Sequence, residues 1–229
     1  MVSPYLYLVG TIPDFEYPRN DLPAQIHFVG PILPDPPDDF DLPSWWADLE
    51  KGYPVVHVTQ GTVATESNDL IVPTLSALAE AEVLVVATTG GKPVEAINLS
   101  PIPANARIET FIPYFRLLPH VDVMVTNGGY NGVQMALANG VALVTAGQTE
   151  DKPEVCARVE WAGVGINLKT KTPTPKQIRA AVQQLLSNPQ YKARSQFFQT
   201  QMQQYNAPVR AAELLEQLAT SKQPITTNA

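Results

Sequence analysis

Six apolar runs, each carrying β-branched residues, recur along the chain: VVHVT (55–59), VLVVAT (83–88), RIETFI (107–112), VDVMV (121–125), VALVTA (141–146) and VGINL (164–168). Segments with helical periodicity separate most of them, among them DLIVPTLSALAEA, NGVQMALANG and PEVCARVEWAG. Strands that read as near-continuous apolar runs are covered on both faces, and parallel strands need crossover helices to do the covering. The alternation therefore predicts an α/β fold with a Rossmann-like, doubly wound, parallel six-stranded sheet. From Thr174 to about Thr220 the pattern is helical, interrupted near Pro189 and Pro208, because proline removes a bond from the helical ladder.

The chain ahead of this alternation has another composition. Residues 1–50 hold nine of the 22 acidic residues against one Lys or Arg, Arg19, and ten of the 22 prolines fall within residues 1–54. Two short apolar stretches, YLYLVG (5–10) and IHFVG (26–30), look like a pair of strands without a sheet of their own, and a lone pair is marginal in water. PILPDPPDDFDLP is too rich in Pro and Asp for helix or central strand and reads as an extended linker. SWWADLEKG after it reads as a short helix capped by Ser44. We expect strand remnants at 1–30, a linker and short helix at 31–53, the six-stranded domain at 54–205, and a C-terminal helix and tail at 206–229.

The net charge of −7 argues against a nucleic-acid partner. No apolar run reaches the roughly 18 residues of a membrane span. The single cysteine, Cys156, excludes an internal disulfide and suits a reducing compartment, so a cytoplasmic location is expected.

Ligands of open α/β sheets bind at the carboxyl ends of the strands, where the strand order reverses. With the order 3-2-1-4-5-6, the first and fourth strands are neighbours there, and Gln60-Gly61-Thr62 and Asn127-Gly128-Gly129 face one crevice. Adjacent glycines let backbone approach a ligand, and a helix opening near Asn131 aims unsatisfied N–H groups and its positive dipole end at it. A tight β-to-α turn that needs positive φ, with Asn as a cap, explains the same residues. The stretch is neither GxGxxG nor a Walker loop with its lysine, which disfavours nicotinamide and P-loop chemistry. Glu150-Asp151-Lys152, at the same sheet edge, offers acceptors and a donor for sugar hydroxyls, or simply acidic residues at a helix start. His27, His57 and His120 form no constellation, and there is no HxxxH pair, cysteine cluster or GxSxG elbow, so no metal is expected.

Thr126 to Arg158 resembles the donor-binding signature of the GT-B nucleotide-sugar glycosyltransferases, which include macrolide, plant secondary-metabolite and UDP-glucuronosyl transferases. In that signature a His-Gly-Gly or His-Cys-Gly turn precedes Asn-Ser, a Glu, a Gly-Val-Pro strand, and Asp-Gln before a helix. Those places here read Asn127-Gly128-Gly129, Asn131-Gly132, Met135, Gly140-Val141-Ala142 and Asp151-Lys152. FEYPRNDLP with IHFVGP is similar to the end of the family's acceptor-binding half, and VTQGT to the first strand and loop of its donor-binding half. FIPY, ahead of Leu117 and Leu118, resembles its base-contacting segment.

The resemblance spans essentially all 229 residues but only the second half of a typical member. It implies a truncation or one subunit of a split protein, with the acceptor pocket and the histidine base in the missing half. It implies that Gly61 and Thr62 contact the diphosphate, and that Phe111 and Ile112 line the nucleobase site. Asn127, Gly128, Gly129, Asn131 and Gly132 would form the phosphate cradle, and Asp151 and Lys152 would hold sugar hydroxyls. Three residues depart from the pattern: Asn127 stands for a histidine, Gly132 for a hydroxyl donor, and Met135 for the glutamate used on ribose. Gln134, the polar neighbour of Met135, lies about 100° away around the helix.

The function expected from the resemblance is the donor half of an inverting glycosyltransferase. It would bind a UDP- or dTDP-hexose, transfer nothing by itself, and need no cofactor. A nucleotide-sugar epimerase or hydrolase of the same fold is one alternative, with only Glu150 and Asp151 as acid and base. A non-catalytic nucleotide-sugar-binding module that partners a separate acceptor subunit is another.

Overall fold

The structure, a computed structural model, describes residues 3–34, 39–61 and 67–227. β1 (Tyr7–Val9) and β2 (Ile26–Phe28) lead the chain. The main domain follows as β3 (Val55–Thr59), α1 (Ile71–Leu78), β4 (Leu84–Thr88), β5 (Ala106–Glu109), α2 (Tyr114–Leu117), β6 (Val123–Thr126), α3 (Tyr130–Ala138), β7 (Ala142–Thr145), α4 (Lys152–Trp161) and β8 (Gly165–Asn167). Three helices end the chain: α5 (Pro175–Ser187), α6 (Pro189–Met202) and α7 (Ala207–Ser221).

β3 to β8 pair in the order β5-β4-β3-β6-β7-β8, every pair parallel. Counted from β3, that is the order 3-2-1-4-5-6 assumed in placing the two glycine-bearing loops at one crevice. Side chains alternate across each strand, so the sheet feeds two cores. Val55, Met124 and Leu143 face one core, covered by α3, α4 and α6 through Val133, Leu137, Val159 and Phe198. Val56, Val58, Val125 and Val144 face the other, covered by α1 and α5 through Leu75, Leu78, Ile178 and Val182. Burial on both faces is why these strands carry no polar alternation. His57 is the polar member of β3; it is fully buried and its Nδ1–H donates to the Val86 carbonyl at 3.0 Å.

β1 and β2 pair with each other in parallel. The tail after α7 lies against them: the Ile225 N–H donates to the Tyr5 carbonyl at 2.8 Å, and His27 Nε2 bonds the Ile225 carbonyl at 3.0 Å. Leu6, Val29, Leu214 and Ile225 form the small core of this region. Between the two strands the chain plugs into the main domain. Ile12 and Phe15 are fully buried in the first core, with the Phe15 ring edge-on to Phe198 at 5.9 Å. Glu16 adds an ion pair with Arg158 at 2.9 Å and accepts from the Tyr130 hydroxyl at 3.3 Å.

Two local expectations are corrected. SWWADLEKG forms a short 3-10 turn, Trp46–Glu50, and no side chain caps it, Ser44 included. Tertiary anchors hold it instead: Trp45 Nε1–H donates to Glu109 at 2.7 Å, and Asp48 pairs with Arg107 at 2.6 Å. The strand expected at 107–112 ends at Glu109. Thr110 to Pro113 leave the sheet and turn along its carboxyl edge. Of the proline-rich linker, residues 35–38 lie outside the described residues.

Candidate functional site

β3, β4, β6 and β7 each end on a threonine, and the register aligns them. Thr59 is paired with Thr88 and Thr126, and Thr126 with Thr145, so the four make a row across the carboxyl edge of the sheet. Two of them start the turns that follow. Thr59 Oγ1 accepts from the Gly61 N–H at 3.2 Å, and Thr126 Oγ1 from the Gly128 N–H at 3.3 Å. The two glycine-bearing loops therefore leave adjacent strands in the same way and stand side by side.

Asn127 joins them. Its Nδ2 donates to the Gln60 carbonyl in the first loop, and its Oδ1 accepts from the Gly129 N–H at 3.3 Å in its own. The Gln60 side chain in turn accepts from the N–H groups of Leu70 and Ile71, at 3.2 and 3.3 Å, and so caps α1. Asn127 is thus a brace between the loops, a role that its reading as a phosphate donor did not anticipate.

Next to the brace, α3 opens with Gly129 at its N-cap and no side chain bonded there. The N–H groups of Tyr130, Asn131 and Gly132 have no acceptor within the helix, as in the first turn of any α-helix. Asn131 and Gly132 of this turn line a cavity of about 460 Å³, a volume within the range of small-molecule sites. Gly61, Asn127, Gly129, Asn131 and Gly132 line it, together with Phe111 and Ile112. Of the residues singled out in the sequence, these seven come together. Phe111 is 61% exposed, an unusual state for phenylalanine, and Ile112 behind it is buried.

The other four are placed differently. Thr62 lies outside the described residues. Gly128 backs away from the cavity at φ +80°, and a Cβ there would stand 2.5 Å from Cys156 Sγ, so glycine is required by both backbone and packing. Lys152 is buried at 7% exposure, with its ammonium bonded to the Glu150 carboxylate and 3.4 Å from Thr149 Oγ1. Asp151 is exposed at the N-cap of α4 and makes no capping bond. Neither Asp151 nor Lys152 lines the cavity. The loop that carries them is nevertheless pressed against the brace, since a Cβ on Gly147 would meet the Asn127 carbonyl at 2.0 Å.

Sequence reasoning missed Thr59, Thr110 and Asn139 as lining residues, and Leu33 of the linker. For Thr59, the threonine that closes β3, β4, β6 and β7 alike was the available signal. Tyr114 is held up in pKa by burial, with its hydroxyl bond to Thr59 acting the other way. The edge of its ring faces His57, at 5.5 Å between centroids. His57 itself is pulled down to about 4 by burial, so it is neutral and enclosed. His120 packs edge-on to Trp46. No group of three or more His, Cys, Asp or Glu among the described residues is placed to hold a metal ion.

The cavity lining therefore combines the start of α3 with an apolar wall from Phe111 to Phe115. An elongated ligand with an anionic part and a flat apolar part fits this combination.

Residues 73–218 match the family model described as erythromycin biosynthesis protein CIII-like, C-terminal domain. The chain is 51% identical over 218 residues to 4'-demethylrebeccamycin synthase of Lentzea aerocolonigenes, covering 95% of this chain and 51% of that protein. It is 41% identical over 208 residues to UDP-glucosyltransferase A1 of Starmerella bombicola, covering 90% and 45%. The crystal structure of CalG4, the calicheamicin glycosyltransferase, superposes with a TM-score of 0.79 at 26% identity, covering 94% of this chain and 54% of its own. The chain spans about half the length of the curated relatives it matches.

Proposed function

The chain belongs to the GT-B glycosyltransferases with an erythromycin biosynthesis protein CIII-like C-terminal domain, and from that premise we propose that it is the donor-binding half of an inverting enzyme. It holds a UDP- or dTDP-hexose, with the diphosphate on the first turn of α3 and the base against Phe111 and Ile112. One observation carries the reading: Gly129, Asn131 and Gly132, at the uncapped start of α3, line the same cavity as the apolar segment after β5. That the relatives include a UDP-glucosyltransferase supports it.

In the complete enzyme, the acceptor hydroxyl attacks the anomeric carbon as the bond from that carbon to the diphosphate oxygen breaks. The hydroxyl proton passes to a base, and the nucleoside diphosphate leaves with the electron pair. This half supplies the leaving-group side. Amide dipoles and the helix N-terminus stabilise the charge growing on the diphosphate, and Asn127 keeps the two loops at a fixed spacing for it. The base comes from outside this chain: His57 is buried and bonded to the Val86 carbonyl, and neither His27 nor His120 lines the cavity.

Residues 54–205 are the nucleotide-sugar unit. β1 and β2, only two parallel strands, continue as part of a larger sheet in an acceptor-binding half or subunit. In this reading Asp151, exposed at the start of α4, and Lys152, bonded to Glu150, hold the hexose hydroxyls. A cytoplasmic protein fits its single buried thiol, and no helix of the described residues is long and apolar enough to cross a membrane.

Backbone amide NMR tests the reading at the atoms concerned. Adding UDP is expected to shift the amide signals of Tyr130, Asn131 and Gly132 most, with Phe111 following. Saturating shifts confined to other parts of the chain would place the ligand elsewhere and refute it.

A further inference from the structure

We propose that Glu16 is a positioning residue of the ligand site, holding the first turn of α3 in place from the segment between β1 and β2. The inference rests on the reading of this cavity as a nucleotide site. α3 has two adjoining faces. Asn131, Met135 and Asn139, spaced by four, line the cavity. Tyr130 and Gln134, also spaced by four, are stitched to the segment instead. The Tyr130 hydroxyl donates to Glu16 Oε1 at 3.3 Å, and Gln134 Nε2 donates to the Gly10 carbonyl at 3.3 Å. Tyr130 is the first residue of α3 and does not line the cavity, whereas Asn131 and Gly132 after it do. Its side chain is therefore a handle on the back of the turn that faces the ligand.

Glu16 is itself held firmly. Phe15 beside it is fully buried and packs on Phe198, which fixes the backbone. Its second oxygen, Oε2, accepts from Arg158 Nε of α4 at 2.9 Å, and the Arg158 guanidinium lies over the Tyr17 ring, 5.0 Å from its centroid. The side chains of Arg158 and Glu16 are only 19% and 22% exposed, so the pair is sheltered where a fully solvated one contributes little. One carboxylate thus ties α3 to α4. These are the two helices whose starts carry Asn131-Gly132 and Asp151-Lys152. The first turn of α3 has no side-chain cap, and turns of that kind fray because their N–H groups lack partners. An anchor at its first residue orders the turn before the ligand arrives, and donors ordered in advance bind more tightly than donors that binding must order.

The test is a double-mutant cycle on the full chain, Glu16→Ala, Tyr130→Phe and the two combined, read by calorimetric titration with UDP. Each single change is expected to weaken binding about fivefold, and the double change no further than Glu16→Ala, because both remove the same bond. Glu16→Gln keeps an oxygen for the Tyr130 hydroxyl and is expected to stay within about twofold of wild type. Thr174→Ala, at a helix cap away from the cavity, controls for stability alone and is expected to leave affinity unchanged. Unchanged affinity in Glu16→Ala, or single effects that multiply in the double variant, overturns the inference and leaves the nucleotide reading standing. An equal loss in Thr174→Ala traces the effect to stability and overturns it too. A loss in Glu16→Gln as large as in Glu16→Ala places the effect on Arg158 and overturns the assignment to α3. If Glu16→Ala disturbs the fold, Tyr130→Phe decides alone, and affinity equal to wild type overturns the inference. Failure of wild type to bind UDP removes the nucleotide reading itself, and the inference with it.

Discussion

Asn127 sits between two loops that must keep their spacing if amides and cavity are to serve one ligand. Its two side-chain bonds reach the Gln60 carbonyl and the Gly129 N–H, so an alanine there frees both loops at once. We expect Asn127→Ala to weaken UDP binding about tenfold, the effect of roughly 1.4 kcal/mol, with only a small loss of fold stability. Equal affinity for the two proteins by calorimetry would show that the brace is idle. His57 makes a prediction of another kind. Burial lowers its pKa from 6.5 to about 4, so between those values the unfolded chain binds a proton that the folded chain refuses. Stability from this residue is complete above about pH 6.5 and falls as pH drops toward 4, by a total of order 3 kcal/mol. Urea unfolding from pH 7.5 to 4.5 should show a shallower decline in His57→Leu than in wild type, and parallel curves would contradict the assignment. At this scale the sequence was only partly legible. Two glycines after a strand announced a close approach, but the spacing did not tell that Gly129 lines the cavity while Gly128 makes room for Cys156. Nor did it tell that Lys152 folds back onto Glu150. Such choices depend on which neighbouring loop occupies the space, and that is set by packing between distant segments.

Elements were legible where local chemistry decides them. Pro189 and Pro208, which look like interruptions, are, with Pro175, first-turn residues of α6, α7 and α5, where a missing N–H costs nothing. Thr174, Asn188 and Asn206 cap those helices through their side chains. The Thr174 cap is reciprocal: its Oγ1 accepts from the Gln177 N–H at 3.3 Å, and the Gln177 side chain accepts from the Thr174 N–H at 2.9 Å. Thr174→Ala is expected to cost about 1 kcal/mol in urea unfolding at pH 7. A change below a few tenths would mean that α5 is held by its apolar face alone. Legibility failed where tertiary contact decides. β5 is an edge strand with β4 as its one neighbour in the sheet, so its apolar run outlasts its pairing and Thr110 to Pro113 become cavity wall. The Trp45-Trp46 turn follows its anchors on Glu109 and Arg107 rather than a helical pattern.

For the whole molecule, the alternation of apolar runs and helices was enough to anticipate the parallel six-stranded sheet, while its order and the crevice between β3 and β6 rested on an assumed doubly wound order that the structure has. Composition spoke less clearly about the N-terminal segment. Its acidic, proline-rich character reports a solvated linker, yet packing runs across residue 54 through Ile12, Phe15 and Glu16. Phe15→Ala should therefore cost about 3–5 kcal/mol in the main unfolding transition, as truncation of a core phenylalanine does. A separate early transition, with the main one unmoved, would show that the segment is independent. The central claim is that this chain by itself holds the donor. Calorimetric titration of the purified chain with UDP-glucose measures that most directly. Saturable binding at one site per chain, weakened in Asn127→Ala, is the result predicted; a folded chain that takes up neither UDP-glucose nor a dTDP-hexose at millimolar concentration would contradict it.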